Sequence, residues 1–339
     1  MKNYNVKLKI LRFLVVIFIF SFLFFHSPEA RAQTFSLSIY PPLLEVMMMP
    51  GKSIIQAYQL ENSGDETIIN TQILPFEPGD ELGNVSLRGP TSEEVGPPKG
   101  WFSFENADLA LGQPFVLRSG ESKQIILRIK IPENTREDDY YFTFLFSTKP
   151  KERGGGTTTS GAGVIGSNIL LTVSRSGKPV KRGEIVEFTL RTSHFALPII
   201  DSFDKPEFLL RVKNTGRAFW KPFGKIKIEG LLGQKYEQEL IPDNVLVGSI
   251  RQIQVATPSA SPTSRAAGIA SGDARHFALP TSFLLGPYRA KVEFSLEEDG
   301  GSQTLSAVTS FLALPGKLSL AILIAVSIVL LIKKRMWRY

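Results

Sequence analysis

The alternation of apolar and polar residues commits this chain to β-sheet. Tyr288, Ala290, Val292, Phe294 and Leu296 alternate with Arg289, Lys291, Glu293 and Ser295, and Ile125, Leu127, Ile129 and Ile131 alternate with Ile126, Arg128 and Lys130. A period of two over several residues turns one face of a strand to a core and the other to water, as in an antiparallel sheet. Between the two ends of the chain no amphipathic helix competes with these runs, and Gly, Pro and Asn turns cut the sequence into short strands. The pattern predicts an all-β protein of two immunoglobulin-like antiparallel β-sandwich domains.

Two copies of one plan are visible. Leu60-Glu61-Asn62-Ser63-Gly64-Asp65 recurs as Val212-Lys213-Asn214-Thr215-Gly216-Arg217, an N-[ST]-G turn, and a Tyr-led strand follows each at nearly the same distance, at Tyr140 and Tyr288. The polar stretch Ser174 to Pro179 sets the boundary. Residues 33–173 then form the first sandwich, 174–179 a linker and 180–312 the second. Residues 151–163 and 257–273 are small and polar, a composition that suits a flexible hairpin tip and a flexible insertion.

The ends read as targeting segments. Lys2 to Arg12 is basic, Phe13 to Phe25 apolar, and Ala30 and Ala32 place small residues before Gln33, so residues 1–32 read as a signal peptide cleaved before Gln33. Leu318 to Ile332 is an uninterrupted apolar run followed by Lys333, Lys334 and Arg335 and a basic tail, 333–339. With Lys317 snorkelling at one side, this run is expected to be a single transmembrane helix with a cytoplasmic C-terminus, giving a type I membrane protein whose exterior part faces away from the cytoplasm. A cell-wall sorting signal is a poorer fit, because Leu314-Pro315-Gly316-Lys317-Leu318 lacks the order of LPxTG.

The net charge of +7 resides in these ends. Residues 1–32 carry +4 and the stretch from Lys317 carries +5, which leaves −2 for everything between, so no basic surface for nucleic acid is indicated. No cysteine is present, which excludes disulfides, thiolate metal sites and cysteine nucleophiles.

Motifs for chemistry are equally sparse. His194 and His276 both sit in His-Phe-Ala-Leu-Pro, with no second ligand at metal spacing and no G-x-S-x-G or H-E-x-x-H. Glu77, Asp80, Glu81 and Asn84 share a Pro/Gly loop without the order of a calcium loop, and read as solvated. Glu133, Glu137, Asp138 and Asp139 read as an acidic turn that keeps a hairpin corner wet. Gly154-Gly155-Gly156 is followed by no Gly-Lys-Ser/Thr and is no phosphate loop. No catalytic residue, cofactor or metal is therefore expected. Trp101, Phe102, Phe219 and Trp220 are the candidate ligand contacts, set against the core role that tryptophan usually has in a sandwich.

The stretches Ser38-Ile39-Tyr40-Pro41-Pro42, Pro50-Gly51-Lys52-Ser53 and Tyr58-Gln59-Leu60-Glu61-Asn62, with Ser119-Gly120-Glu121 and Ile131-Pro132-Glu133 further on, resemble the WxL-interacting surface proteins of bacteria. Asn214-Thr215-Gly216 and Gly286-Pro287-Tyr288 look like that family's second domain. The resemblance implies a peptidoglycan-associated first domain and a ligand-binding second domain on a membrane stalk. The function expected is thus a non-catalytic, membrane-anchored binding or scaffolding protein of the cell envelope, with cell-wall polymer or a surface or membrane protein as partner. The alternative is an assembly chaperone, or a subunit of a surface or export apparatus, that takes a partner's strand on an exposed sheet edge.

Overall fold

The computed structural model describes residues 36–88, 97–149, 163–191, 198–231, 233–255, 283–299 and 303–336. The residues around the expected cleavage site, Ala30, Ala32 and Gln33, lie outside them, as do His194, His276, most of 151–163 and all of 257–273.

The first sandwich is built from β1 (Leu37–Tyr40), β2 (Leu43–Met48), β3 (Ser53–Asn62), β4 (Thr67–Pro78), β5 (Val85–Leu87), β6 (Phe102–Phe104), β7 (Phe115–Leu117), β8 (Ser122–Lys130), β9 (Asp139–Lys149) and β10 (Val164–Val173). One sheet has the order β1-β3-β8-β6, the other β2-β10-β9-β4-β5 with β7 also on β4. The alternation has its expected effect: Ile125, Leu127, Ile129 and Ile131 are fully buried and meet Phe142, Phe144 and Phe146 of the facing sheet. Tyr58 and Phe144 pack edge to face with ring centroids 5.3 Å apart.

The chain crosses between these sheets early. β1 pairs antiparallel with β3, and then Pro41-Pro42, which have no N–H to give a ladder, carry the chain over. β2 next runs parallel to the last strand, from Leu43 beside Asn168 to Met48 beside Val173.

The second sandwich repeats the scheme with β11 (Gly183–Arg191), β12 (Ile199–Asp201), β13 (Glu207–Asn214), β14 (Phe223–Gly230), β15 (Lys235–Glu239), β16 (Ile250–Gln252), β17 (Gly286–Ser295) and β18 (Thr304–Leu314). Its sheets are β11-β13-β16 and β12-β18-β17-β14-β15. β11 pairs with β13, and β12 lies parallel to the end of β18, Ile199 beside Leu312 and Asp201 beside Leu314. Each sandwich thus contains a parallel pair, where alternation alone implied antiparallel pairing throughout. Two apolar clusters result, one centred on Tyr58, Leu127 and Phe144, the other on Trp220, Tyr288 and Phe294.

The repeated N-[ST]-G turns prove to be buried clamps. Asn62 and Asn214 are each 1% exposed. The side chain of Asn62 donates to the carbonyls of Asp65 and Leu117 and accepts from the Gly64 N–H; that of Asn214 donates to Ala218 and Val245 and accepts from Gly216. Their backbones close the same ladder: Gly120 N–H donates to Asn62 O and Gly248 N–H to Asn214 O. Both glycines need positive φ, +72° and +74°, which a side chain would oppose.

One expectation is overturned. Residues Gly316–Met336 form the helix α1, but among the described residues no helix is long and apolar enough to cross a membrane. The apolar run from Leu318 to Ile332 rises only about 22 Å against a hydrocarbon core of about 30 Å. Lys317 does not make up the difference: its Nζ pairs with Asp204 and its N–H donates to Asp201 Oδ2 at 2.7 Å, so it is fastened to the second sandwich. The single-pass type I anchor assigned to Lys317, Leu318, Ile332, Lys333, Lys334 and Arg335 is therefore withdrawn.

Asn62→Ala takes the donor from the carbonyls of Asp65, Leu117 and Arg118 and the acceptor from the Gly64 N–H, and Asn214→Ala takes the donor from those of Ala218 and Val245 and the acceptor from the Gly216 N–H. Each variant should lose about 2–4 kcal/mol in urea unfolding, and the two losses should add, since no contact is shared.

Candidate functional site: the domain seam and an open sheet edge

Three carboxylates of the first sandwich receive donors from the second. Asp139, first residue of β9, accepts from Thr172 Oγ1 at 2.7 Å and Tyr141 Oη at 2.8 Å in its own domain, and from the Phe219 N–H of the other at 2.6 Å. Tyr141 Oη in turn accepts the Val247 N–H at 3.0 Å. Glu45 on β2 holds Lys221 at 2.7 Å and Asn244 at 2.6 Å. Glu81 forks onto Arg211, whose remaining nitrogen reaches Glu187 at 3.1 Å, while the Glu81 carbonyl accepts the Gln252 N–H at 2.7 Å. Phe76, Leu170 and Leu246, with Tyr141 and Phe219 against them, form the apolar centre of the seam.

These contacts decide several residues singled out in the sequence. Asp139 does not keep a corner wet. It is drawn into the seam, where burial raises its carboxyl above the ordinary range, opposed by the hydrogen bonds from Thr172, Tyr141 and Phe219. Burial also pushes the Tyr141 phenol up, and the Asp139 charge adds to this. The loop with Glu77, Asp80, Glu81 and Asn84 is occupied by its own partners: Asp80 Oδ1 accepts the N–H groups of Leu82 and Asn84, Glu77 pairs with Arg88, and Glu81 is committed to Arg211. Among the described residues no group of three or more metal-ligating side chains is gathered. Gly83, at φ +90°, lies under the Arg251 guanidinium, where any Cβ would collide with it.

The aromatic candidates are turned inward. Trp101, Phe102 and Trp220 are 5%, 8% and 1% exposed. Trp101 packs against Tyr140 and Phe142, and Trp220 stacks on Phe294 while its Nε1–H donates to Arg182 O at 3.0 Å. Phe219 is half-buried in the seam. A ring of this size stabilises a two-sheet core more by burial than a surface position allows, which explains the placement.

What remains open is backbone. Most edges of the second sandwich carry a safeguard of the kind that blunts strand pairing. β15 presents Lys235, Glu237 and Glu239; β11 carries a register shift between Ile185 and Glu187 and the charges Glu184, Glu187 and Arg191; β16 is short and is met by the Glu81 carbonyl. β18 is different. Its outer side is paired with β12 only at 312–314; along Thr304–Phe311 no described strand is hydrogen-bonded to it on that side, although β11 of the facing sheet runs close by, the Gly183 N–H reaching the Gln303 side chain at 3.1 Å. That stretch, TLSAVTSF, has no charge, no proline and an unbroken register with β17.

The direction of its free groups follows from two bonds. Leu312 N–H donates to Pro198 O and Leu314 O accepts from Ser202 N–H, so even-numbered residues of β18 turn their backbone polar groups outward. The N–H and C=O groups of Ser306, Val308 and Ser310 thus have no backbone partner among the described residues, while the side chains of Leu305, Ala307 and Phe311 face the core. In the first sandwich the corresponding cover is longer: β2 shields β10 over 168–173 and leaves only 164–167.

Searches with protein-family models and against characterised proteins find no match. Among solved structures the chain is similar to the class 5 fimbriae chaperone CfaA, with 11% identity over 81% of this chain and 99% of that one and a TM-score of 0.37. It is similar to the E. coli chaperone DraB at 13% identity, 82% and 98% coverage and a TM-score of 0.35. The Salmonella enterica SafA pilin complex with the SafB chaperone gives 11%, 82%, 98% and 0.36.

The seam has a pH signature. A carboxyl raised above its unfolded value, 3.8, binds a proton more tightly in the folded protein, so its contribution to stability falls as pH rises through that window and stays low above it. The difference in unfolding free energy between the wild type and Asp139→Asn should therefore change with pH above about 4, with the wild type losing relative to the variant as pH rises. Urea unfolding at a series of pH values reads this directly; a constant difference would contradict the buried placement.

Proposed function

We propose that the protein is a non-catalytic assembly or scaffolding factor that holds an extended segment of another surface protein on the open edge of β18. One observation carries the reading: an eight-residue stretch, Thr304–Phe311, without charge, proline or bulge and with no hydrogen-bonded strand on its outer side among the described residues, in a sandwich whose edges β11, β15 and β16 are guarded. An added strand satisfies the outward backbone groups of Ser306, Val308 and Ser310, and its alternate side chains cover Leu305 and Ala307, which are only partly buried. The seam supports the same reading, because it holds this edge in a fixed direction relative to the first sandwich. The resemblance to WxL-interacting proteins favours a partner on the bacterial surface.

In dilute free protein the outward amides of Ser306, Val308 and Ser310 should exchange with solvent at least a hundredfold faster than the inward amides of Ala307 and Thr309. Val308→Pro removes an outward N–H and costs no bond to β17, so it should fold normally and fail to take up a strand. Thr309→Pro, which breaks the bonded pair with Ala290, should destabilise the sandwich instead. Photo-crosslinking from position 308 in cells, with the captured segment mapped by mass spectrometry, checks the function: a single extended segment lost in Val308→Pro is expected, and capture that survives the proline excludes strand addition here.

A further inference from the structure

The geometry of β18 points to a second copy of this chain as an occupant of the same edge: we propose a two-fold dimer in which β18 pairs antiparallel with β18. The inference shares the open edge with the proposed function but does not depend on any foreign partner.

Two-fold symmetry is the commonest closed arrangement for identical chains, and it brings one surface against itself. Such a surface must not oppose its own charges. Most edges in this sandwich fail that condition or are interrupted, since β15 would set Lys235, Glu237 and Glu239 along the contact and β11 is shifted at Val186. Thr304–Phe311 meets it, with eight uncharged residues in one register.

The free stretch also fixes its own pairing. The bonded positions are the even ones, and the pairing must stay clear of Leu312, whose N–H is taken by Pro198. The register that uses the whole stretch and nothing beyond it sets Thr304 against Ser310 and Ser306 against Val308 of the second copy, with the axis at residue 307. Every outward N–H and C=O from 304 to 310 then finds a partner. On the inward face Leu305 meets Thr309 and Ala307 meets Ala307, so the smallest side chain of the stretch falls on the axis, where two bulky ones would crowd. The partly buried Leu305 and Ala307 gain cover, and the two sheets become one. Because the same groups are used, the dimer and a foreign strand exclude each other, and the paired form protects the edge until a partner displaces it.

The absence of cysteine allows a clean test in the full chain. Residues facing each other in a non-bonded antiparallel pair have Cα atoms about 4.5 Å apart, within the range a disulfide spans. Ala307→Cys should therefore cross-link to itself under mild oxidation. Leu305→Cys, about 13 Å from its own equivalent, should do so at least tenfold less, and adding Val308→Pro to Ala307→Cys should abolish the link. In sedimentation velocity the wild type should show a concentration-dependent dimer that Val308→Pro loses; since that change leaves α1 intact, association that survives it comes from another surface and overturns the proposal. Absence of the Ala307→Cys cross-link in folded protein, or equal linking at 305, also overturns it. Failure of this dimer leaves strand capture from position 308 standing, whereas loss of capture with the dimer intact defeats the proposed function and not this one.

Discussion

Everything in this molecule depends on a first strand that serves two sheets. A sandwich needs its two layers stitched together, and here the stitch is made by spending the opening strand in both: β1 then β2, and β11 then β12. The second half of that strand lands beside the last strand of the other sheet and runs parallel to it, so its length decides how much of the last strand is shielded. Six residues of cover in the first sandwich and three in the second follow from how much of the split strand lies on that side, the first crossing being made at Pro41-Pro42. Burial of the core and availability of the edge are two results of one crossing.

The seam turns two sandwiches into one oriented body. Its apolar centre is small, with Phe76, Leu170 and Leu246 as the buried members, and such a contact alone gives little directional preference. Direction comes from the charged and polar groups around it. Glu45, Glu81 and Asp139 approach from three different parts of the first sandwich and engage Lys221 and Asn244, Arg211, and the Phe219 N–H. Buried or half-buried carboxylates tolerate few alternatives, because a displaced one keeps its desolvation cost and loses its donors. The Tyr141 hydroxyl, giving to Asp139 and taking from Val247, passes the constraint across the boundary.

Much of the fold was legible in the sequence, and for a physical reason. Strands such as 125–131 and 288–296 announce themselves because burial acts on every second residue, and the N-[ST]-G turns could be seen as a repeat. Their role as buried clamps could not, since the carbonyls that Asn62 and Asn214 satisfy come from chain far downstream at Leu117 and Val245. Trp101 and Trp220 were readable either as core or as contact until the facing rings were known. Asp139 looked like one more acid in a polar turn, because the groups that draw it inward, at Thr172 and Phe219, are distant in sequence. The apolar run at 318–332 reads as a helix, but fifteen residues provide less reach than a span needs, and the partners of Lys317, Asp201 and Asp204, are too distant in sequence to be read from it. The open edge could be suspected from the missing charges of TLSAVTSF, but whether another strand covers it is a property of topology alone.

The seam has a consequence for how such a protein can be rearranged. Each sandwich carries its own core, so either could in principle be exchanged for a relative. The second, though, is aimed by residues that belong to the first: an acid on β2, one in the loop after β4 and one at the head of β9. A second sandwich transplanted onto another first domain would keep its fold and lose its bearing. The bearing of the second sandwich is therefore set at Glu45, Glu81 and Asp139, and the two halves are better understood as one instrument than as two modules on a string.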